Sequence, residues 1–130
     1  MTQEIPNHRA NAGNVILVED EPYLRHRWHR ELENEGYAVV CLSTGIEALD
    51  VLRNSPAALA ILDIKLPGMN GLEVLAQLRH EHIHIPVILY TAHPHYRDDP
   101  RCRHAEGFVT KSSDITELKR VVKALLKENQ

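Results

Sequence analysis

Short runs of consecutive apolar residues alternate along this chain with longer stretches in which apolar residues recur every three or four positions. The first run, Asn14-Val-Ile-Leu-Val18, lacks polar alternation and predicts a strand covered on both faces. It stops at Glu19-Asp20-Glu21-Pro22, where Pro22 suits the first position of a helix and Asp20 or Glu21 can cap it. Leu24, Trp28 and Leu32 follow at four-residue spacing, one face of a helix ending at Gly36. Residues 38–42 predict a second strand and Thr44-Gly-Ile-Glu47 a capping box, with Ile46, Leu49 and Leu52 as the buried stripe of the second helix. Residues 59–62 predict the third strand, with Asp63 at its end. The turn-rich Pro67-Gly-Met-Asn-Gly71 leads to a third helix marked by Leu72, Leu75 and Leu78, and residues 86–90 predict the fourth strand.

Residues 91–106 break the rhythm. Pro94, Pro100 and several charges argue against a long helix, and Asp99 can cap only a short one starting at Pro100 and stopping by Gly107. Residues 107–110 predict the fifth strand. Asp114-Ile-Thr-Glu117 opens the last helix, whose stripe Ile115, Leu118, Val121, Val122, Leu125 is the clearest amphipathic pattern in the chain. Five strand–helix pairs in alternation favour an α/β fold, a doubly wound parallel sheet with helices on both faces. Residues 1–13 carry no periodicity and read as a flexible tail ahead of one domain, residues 14–130.

Composition narrows the functional classes. Hydrophobic residues at 43% and charged residues at 25% suit a globular domain, not a disordered one. A net charge of -3 offers no basic field for nucleic acid. No apolar run approaches the roughly 20 residues of a membrane span, and the polar start lacks a signal-peptide core, so the expected compartment is the cytoplasm. Cys41 and Cys102 are too few for a disulfide framework and read as ordinary thiols. Of the nine histidines, His80, His82 and His84 lack the company of other ligands and are expected in solvent; His93 borders the cleft described next. Arg25, His26, Arg27, His29 and Arg30 read as the solvated face of the first helix or as a surface for an acidic partner.

In a doubly wound sheet the carboxyl ends of the strands face one crevice, where ligands bind. Here those ends carry Glu19 and Asp20, Asp63, Thr91 and Lys111. Three carboxylates in one place repel one another, and a hard divalent cation such as Mg²⁺, which takes oxygen ligands, removes that cost. A carboxylate can also act as the nucleophile that forms an aspartyl phosphate, with a metal, a Lys and a hydroxyl neutralising the transferred group.

At these positions the chain resembles the response-regulator receiver family. The resemblance is carried by Val15-Ile-Leu-Val-Glu-Asp-Glu21, Leu62-Asp-Ile-Lys-Leu-Pro-Gly-Met-Asn-Gly71, Pro86-Val-Ile-Leu-Tyr-Thr-Ala92 and Gly107-Phe-Val-Thr-Lys111, four segments in order. It implies a flavodoxin-like sheet of order 2-1-3-4-5, and a stand-alone receiver of the chemotaxis or sporulation-phosphorelay type. Asp63 is then the phosphoacceptor, supplied by a sensor histidine kinase or a histidine phosphotransfer protein. Mg²⁺ (or Mn²⁺) is held by Asp20, by Glu19 directly or through water, by Asp63, and by the backbone carbonyl of Lys65. Thr91 is the hydroxyl that follows the phosphoryl oxygen, Lys111 its charge partner, and Phe108 the aromatic that turns inward with Thr91. Lys65 and His93 flank the site and tune the lifetime of the phosphoryl group, Lys65 by covering the approach of water.

The sequence departs from the family in three ways. Ser112 stands where a Pro usually follows the Lys, so the loop there is expected to differ. The helix of the fourth connection, helix four, is expected to be short or disordered. No effector segment follows Gln130, so a DNA-binding domain and a membrane partner are not expected, and the downstream protein is left unnamed. Two other classes compete with the switch. A phosphohydrolase using the same intermediate typically carries a second Asp two residues after the nucleophile, where this chain has Lys65. A docking module that is never phosphorylated has no use for the full acidic and Lys set. On the preferred reading the chain is no enzyme beyond slow loss of its own phosphate.

Overall fold

A computed structural model describes residues 14–112 and 114–128; the tail expected over residues 1–13 lies outside them. The elements run β1 (Asn14–Val18), α1 (Pro22–Asn34), β2 (Ala38–Leu42), α2 (Gly45–Asn54), β3 (Leu59–Asp63), α3 (Gly71–His80), β4 (Val87–Thr91), two 3₁₀ turns (Pro94–Asp98 and Pro100–His104), β5 (Gly107–Thr110) and α4 (Thr116–Glu128). All pairings are parallel and the sheet order is β2-β1-β3-β4-β5.

Strand alternation divides the core into two layers. Val15, Leu17, Leu59, Ile61, Ile88, Tyr90 and Val109 pack with Trp28 and Leu32 of α1 and with Leu118, Val122 and Leu126 of α4. Ile16, Val18, Ala60, Leu62, Val87 and Leu89 pack with Ala48, Leu49 and Leu52 of α2 and Leu72, Leu75 and Leu78 of α3. β3 and β4 are buried along their whole length, as their unbroken apolar runs require.

The helix ends follow local chemistry. Glu21 caps α1, its carboxylate accepting from the Leu24 N–H at 2.9 Å, and Gly36 leaves the helix at φ +98°, a conformation that favours glycine. Thr44 caps α2 as its motif predicts. The Glu47 carboxylate reaches back one residue further than the box requires, to the Ser43 N–H at 3.2 Å. A complete capping box starts α3, where the Asn70 side chain accepts from Glu73 N–H and Glu73 accepts from Asn70 N–H. That Asn-x-x-Glu pattern was readable in the sequence as well as the turn it follows.

Two expectations are corrected. Ile46 is 66% exposed, not part of a buried stripe; the buried face of α2 is Gly45, Ala48, Leu49 and Leu52. The reason is steric. α2 lies flush on the Pro67–Gly71 loop, so closely that a Cβ on Gly45 would fall 1.9 Å from the Met69 carbonyl oxygen. Turning Ile46 inward would turn Gly45 away and lift the helix off that loop. The basic cluster of α1 is also not a uniformly solvated face: His26 and Arg30 are exposed, but Arg25, Arg27 and His29 are half-buried. Arg27 lies over the Trp28 ring at 4.8 Å, and His29 pairs with Glu33 at 3.0 Å.

The connection after β4 is short, as expected. Each 3₁₀ turn starts at a proline, which has no N–H to lose, and Asp99 caps the second by accepting from the Arg101 N–H at 2.9 Å. Below the sheet, the Arg79 guanidinium donates to the carbonyls of Ile83, Ile85 and His104 and to Glu106, tying the end of α3 to the entries of β4 and β5.

Candidate functional site

The alternation that builds the α1/α4 layer also builds the site. Val15 and Leu17 lead to Glu19, Leu59 and Ile61 to Asp63, and Val109 to Lys111, each at two-residue steps. Because the strands run parallel and in register, with Val18 beside Leu62, these side chains emerge together at the carboxyl edge. Lys111 Nζ donates to Glu19 Oε1 at 2.6 Å and to Asp63 Oδ2 at 2.9 Å. Oxygens of Glu19, Asp20 and Asp63 all lie within 4.8 Å of one another. Glu19 is 1% exposed and Asp63 5%, whereas Asp20 is open to solvent.

The loops that present these groups are locally specified. The Glu21 N–H donates to Glu19 Oε2 at 3.0 Å, and the Lys65 N–H to Asp63 Oδ1 at 3.3 Å. Gly71 is required behind Asp63, since a Cβ there would stand 2.2 Å from the Asp63 carbonyl oxygen. Glu19, Asp20, Asp63, Lys65, His93 and Lys111 are among the residues lining a cleft of about 330 Å³. Asp20 and Lys65 also line a neighbouring cleft of about 530 Å³ that reaches Tyr96.

Burial raises both Asp63 and Glu19 above the ordinary carboxylate range, against the lowering effect of their bonds to Lys111. The nearby acids push the same way, Asp20 on Asp63 and Asp63 on Glu19. For Lys111 burial alone would lower the pKa, but its bonds to Glu19 and Asp63 outweigh that and hold it above its usual value. One ammonium thus faces three carboxylates among the described residues of the cluster. Such an oxygen-rich, under-neutralised set suits a hard divalent cation.

The remaining candidates lie around this centre. Thr91 is fully buried at the end of β4, and its Oγ1 accepts from the His93 N–H at 3.0 Å. The Lys111 N–H donates to the Thr91 carbonyl at 2.7 Å, which couples β5 to β4 at the site. His93 is exposed on the cleft wall, as is the Lys65 side chain. Phe108 is not part of the acid cluster: it is half-buried against the α2/α3 layer, on the same alternation as Thr110 beside Thr91. After Lys111, Ser112 closes its own turn, its hydroxyl donating to the Asp114 carbonyl at 2.8 Å and accepting the Asp114 N–H at 3.2 Å.

Three contacts were not foreseen from sequence. Arg25 Nη1 donates to the carbonyls of Glu19 at 3.0 Å and Asp20 at 3.4 Å. Lys111 Nζ stands 5.5 Å from the Tyr90 ring centre. Arg97, in the first 3₁₀ turn, stacks over Phe108 at 4.4 Å. The five-residue step from Asp20 to Arg25 was the one available signal, since it puts the guanidinium a helical turn behind the acidic bend.

Comparisons with known proteins agree with this picture. Residues 15–123 match the family described as the response regulator receiver domain. The uncharacterized transcriptional regulatory protein YkoG of Bacillus subtilis is 39% identical over 119 residues, 90% of this chain and 52% of that protein. The chain spans about half the length of the curated relatives it matches. The response regulator TrrA of Thermotoga maritima, solved in complex with Mg²⁺-BeF, superposes with a TM-score of 0.84 at 39% identity, covering 87% of this chain and 98% of that one. The complex of histidine kinase ThkA with TrrA gives a TM-score of 0.82 at 39% identity over 88% and 98% of the two chains.

Proposed function

This chain belongs to the response regulator receiver family of two-component signalling, and we propose that Asp63 is its phosphoacceptor. The reading is carried by one observation: the Asp63 carboxylate, at the end of a central strand, meets Glu19 and Asp20 within 4.8 Å while Lys111 holds it at 2.9 Å. The donor is the phosphohistidine of a sensor histidine kinase or phosphotransfer protein, a partner class supported by the ThkA–TrrA complex. An Asp63 oxygen forms the new P–O bond as the P–N bond breaks, and the electron pair stays on the donor imidazole.

The carboxylates of Glu19, Asp20 and Asp63 with the Lys65 carbonyl would hold Mg²⁺ or Mn²⁺, a choice supported by the Mg²⁺-BeF bound to TrrA. Bound there, the cation neutralises the carboxylates and the incoming phosphoryl oxygens. Lys111 exchanges part of its hold on Glu19 for the phosphoryl charge. Thr91 releases the His93 N–H to donate its hydroxyl to a phosphoryl oxygen, and Phe108 follows it inward, the change read by a downstream partner. Lys65 stands two residues after Asp63, where a hydrolase using the same intermediate carries its acid–base Asp, which favours a switch that loses its phosphate slowly over a hydrolase. The domain spans residues 14–130 and works in the cytoplasm; among the described residues no helix is long and apolar enough to cross a membrane.

Incubation with Mg²⁺ and either a histidine kinase supplied with ATP or phosphoramidate should add one phosphoryl group, read by mass, and Asp63→Asn should abolish it. Undiminished labelling of that variant contradicts the assignment. Lys65 and His93 tune the lifetime from the cleft wall, where both side chains stand exposed. Loss of label is expected over minutes to hours and should quicken severalfold in Lys65→Asn, measured by the decay of the phosphorylated mass after donor removal. An unchanged decay rules out shielding by Lys65.

A further inference from the structure

The bend that carries two of the three acids is fastened from behind. Arg25 Nη1 donates to the Glu19 carbonyl at 3.0 Å and to the Asp20 carbonyl at 3.4 Å. The Arg25 N–H closes the first turn of α1 on the Glu21 carbonyl at 2.9 Å, and the Glu21 N–H returns to Glu19 Oε2 at 3.0 Å. The side chain is half-buried, so its planar fork is held by packing as well as by its acceptors.

We infer that Arg25 is a positioning residue for the divalent cation, locking the Glu19–Asp20 bend so that its carboxylates converge on Asp63. The inference rests on reading that cluster as the cation site. It has a sign that charge alone cannot mimic. A guanidinium close to a metal site repels the metal, so if Arg25 acted only as a charge its removal would tighten cation binding. If it acts by holding two carbonyls, removal loosens the bend and weakens binding.

The test is calorimetric titration of Mg²⁺ into the wild type, Arg25→Met and Arg25→Lys, with melting curves and amide hydrogen exchange of the metal-free proteins. Groups that orient metal ligands without touching the metal change affinity by about 10- to 100-fold when removed, and Arg25→Met should weaken Mg²⁺ by that scale. Arg25→Lys, which keeps the charge but offers a point donor, should fall between the two, and the Glu21 amide should exchange faster in both variants. Equal or tighter Mg²⁺ binding by Arg25→Met, or an unchanged Glu21 amide, overturns the inference. If Arg25→Met does not fold, Arg25→Lys decides it, and wild-type Mg²⁺ affinity in that variant overturns it. A wild type that takes up no Mg²⁺ overturns the cation reading itself, which sets that failure apart from failure of the Arg25 inference.

Discussion

The Asp63 carboxyl sits where water barely reaches it, beside two other acids and one ammonium. As the proposed phosphoacceptor Asp63 needs its ionised form, whereas folding does not. Burial raises its pKa, which means the ionised form is less favourable here than in an unfolded chain, even with Lys111 attached. Asp63→Asn should therefore make the metal-free protein more stable at neutral pH, because it removes a charge that burial and two neighbouring acids disfavour. Urea unfolding in the presence of a chelator measures it, and a loss of stability would mean that the Lys111 bond outweighs the burial of charge. Phe108 shows a similar tension in milder form. Its ring is held by the Arg97 guanidinium at 4.4 Å, so the inward rotation proposed for it would give up a cation–π contact of roughly 0.5–1 kcal/mol.

At the level of elements, the helices stay in place through contacts between their ends. The Arg53 guanidinium of α2 pairs with the Glu81 carboxylate that follows α3, its Nε donating at 2.8 Å, and Gln77 donates to the same carboxylate at 2.7 Å. The Arg53 bond, aided by Gln77, lowers Glu81 from 4.5 to about 2. A depressed folded-state value means that unfolding takes up a proton, so this contribution is full above the ordinary value of 4.5 and fades as pH falls through about 2. The melting temperature of Glu81→Gln should thus lie below that of the wild type at pH 6, with the gap closing as the pH is lowered toward 2. A gap that does not change with pH would assign the effect of Glu81 to packing. The second 3₁₀ turn is tied to α3 by the Arg79 Nε, which donates to the His104 carbonyl at 3.1 Å; Tyr96 and Cys102 lie half-buried against the α2/α3 layer, and the Cys102 thiol donates to the Tyr96 carbonyl at 3.1 Å.

Across the whole molecule, site and core are joined by direct contact. Trp28, the single tryptophan, meets Tyr90 edge to face with ring centres 6.0 Å apart, and Lys111 lies 5.5 Å from the Tyr90 ring. An event that shifts Lys111 therefore changes the field on Tyr90 and, through it, the surroundings of the indole. Trp28 emission should respond to Mg²⁺ and to phosphorylation, and Tyr90→Leu should remove most of that response while Mg²⁺ still binds by calorimetry. A full response in Tyr90→Leu would route the signal around this pair. The same aromatic contact links α1, which carries Trp28 and Arg25, to β4, which ends in Thr91.

Strands, helix starts and the broken fourth connection were legible in the chain because each depends on residues within a few positions: unbroken apolar runs, a proline without an N–H, a capping side chain three residues from its donor. The acids and Lys111 were legible as a group because a parallel sheet delivers all strand ends to one edge, and the strand order came from resemblance to a family rather than from periodicity. Tertiary structure alone decided the rest. The 3.6-residue pattern of α2 admitted Ile46 as well as Ala48, and only the closeness of the Met69 carbonyl to Gly45 chose between them. Arg25 read as part of a solvated face, and no local pattern singled out Arg79 or Arg97, because long cationic side chains reach whatever acceptor or ring folding brings near, and those partners lie on other elements or in the bends between them.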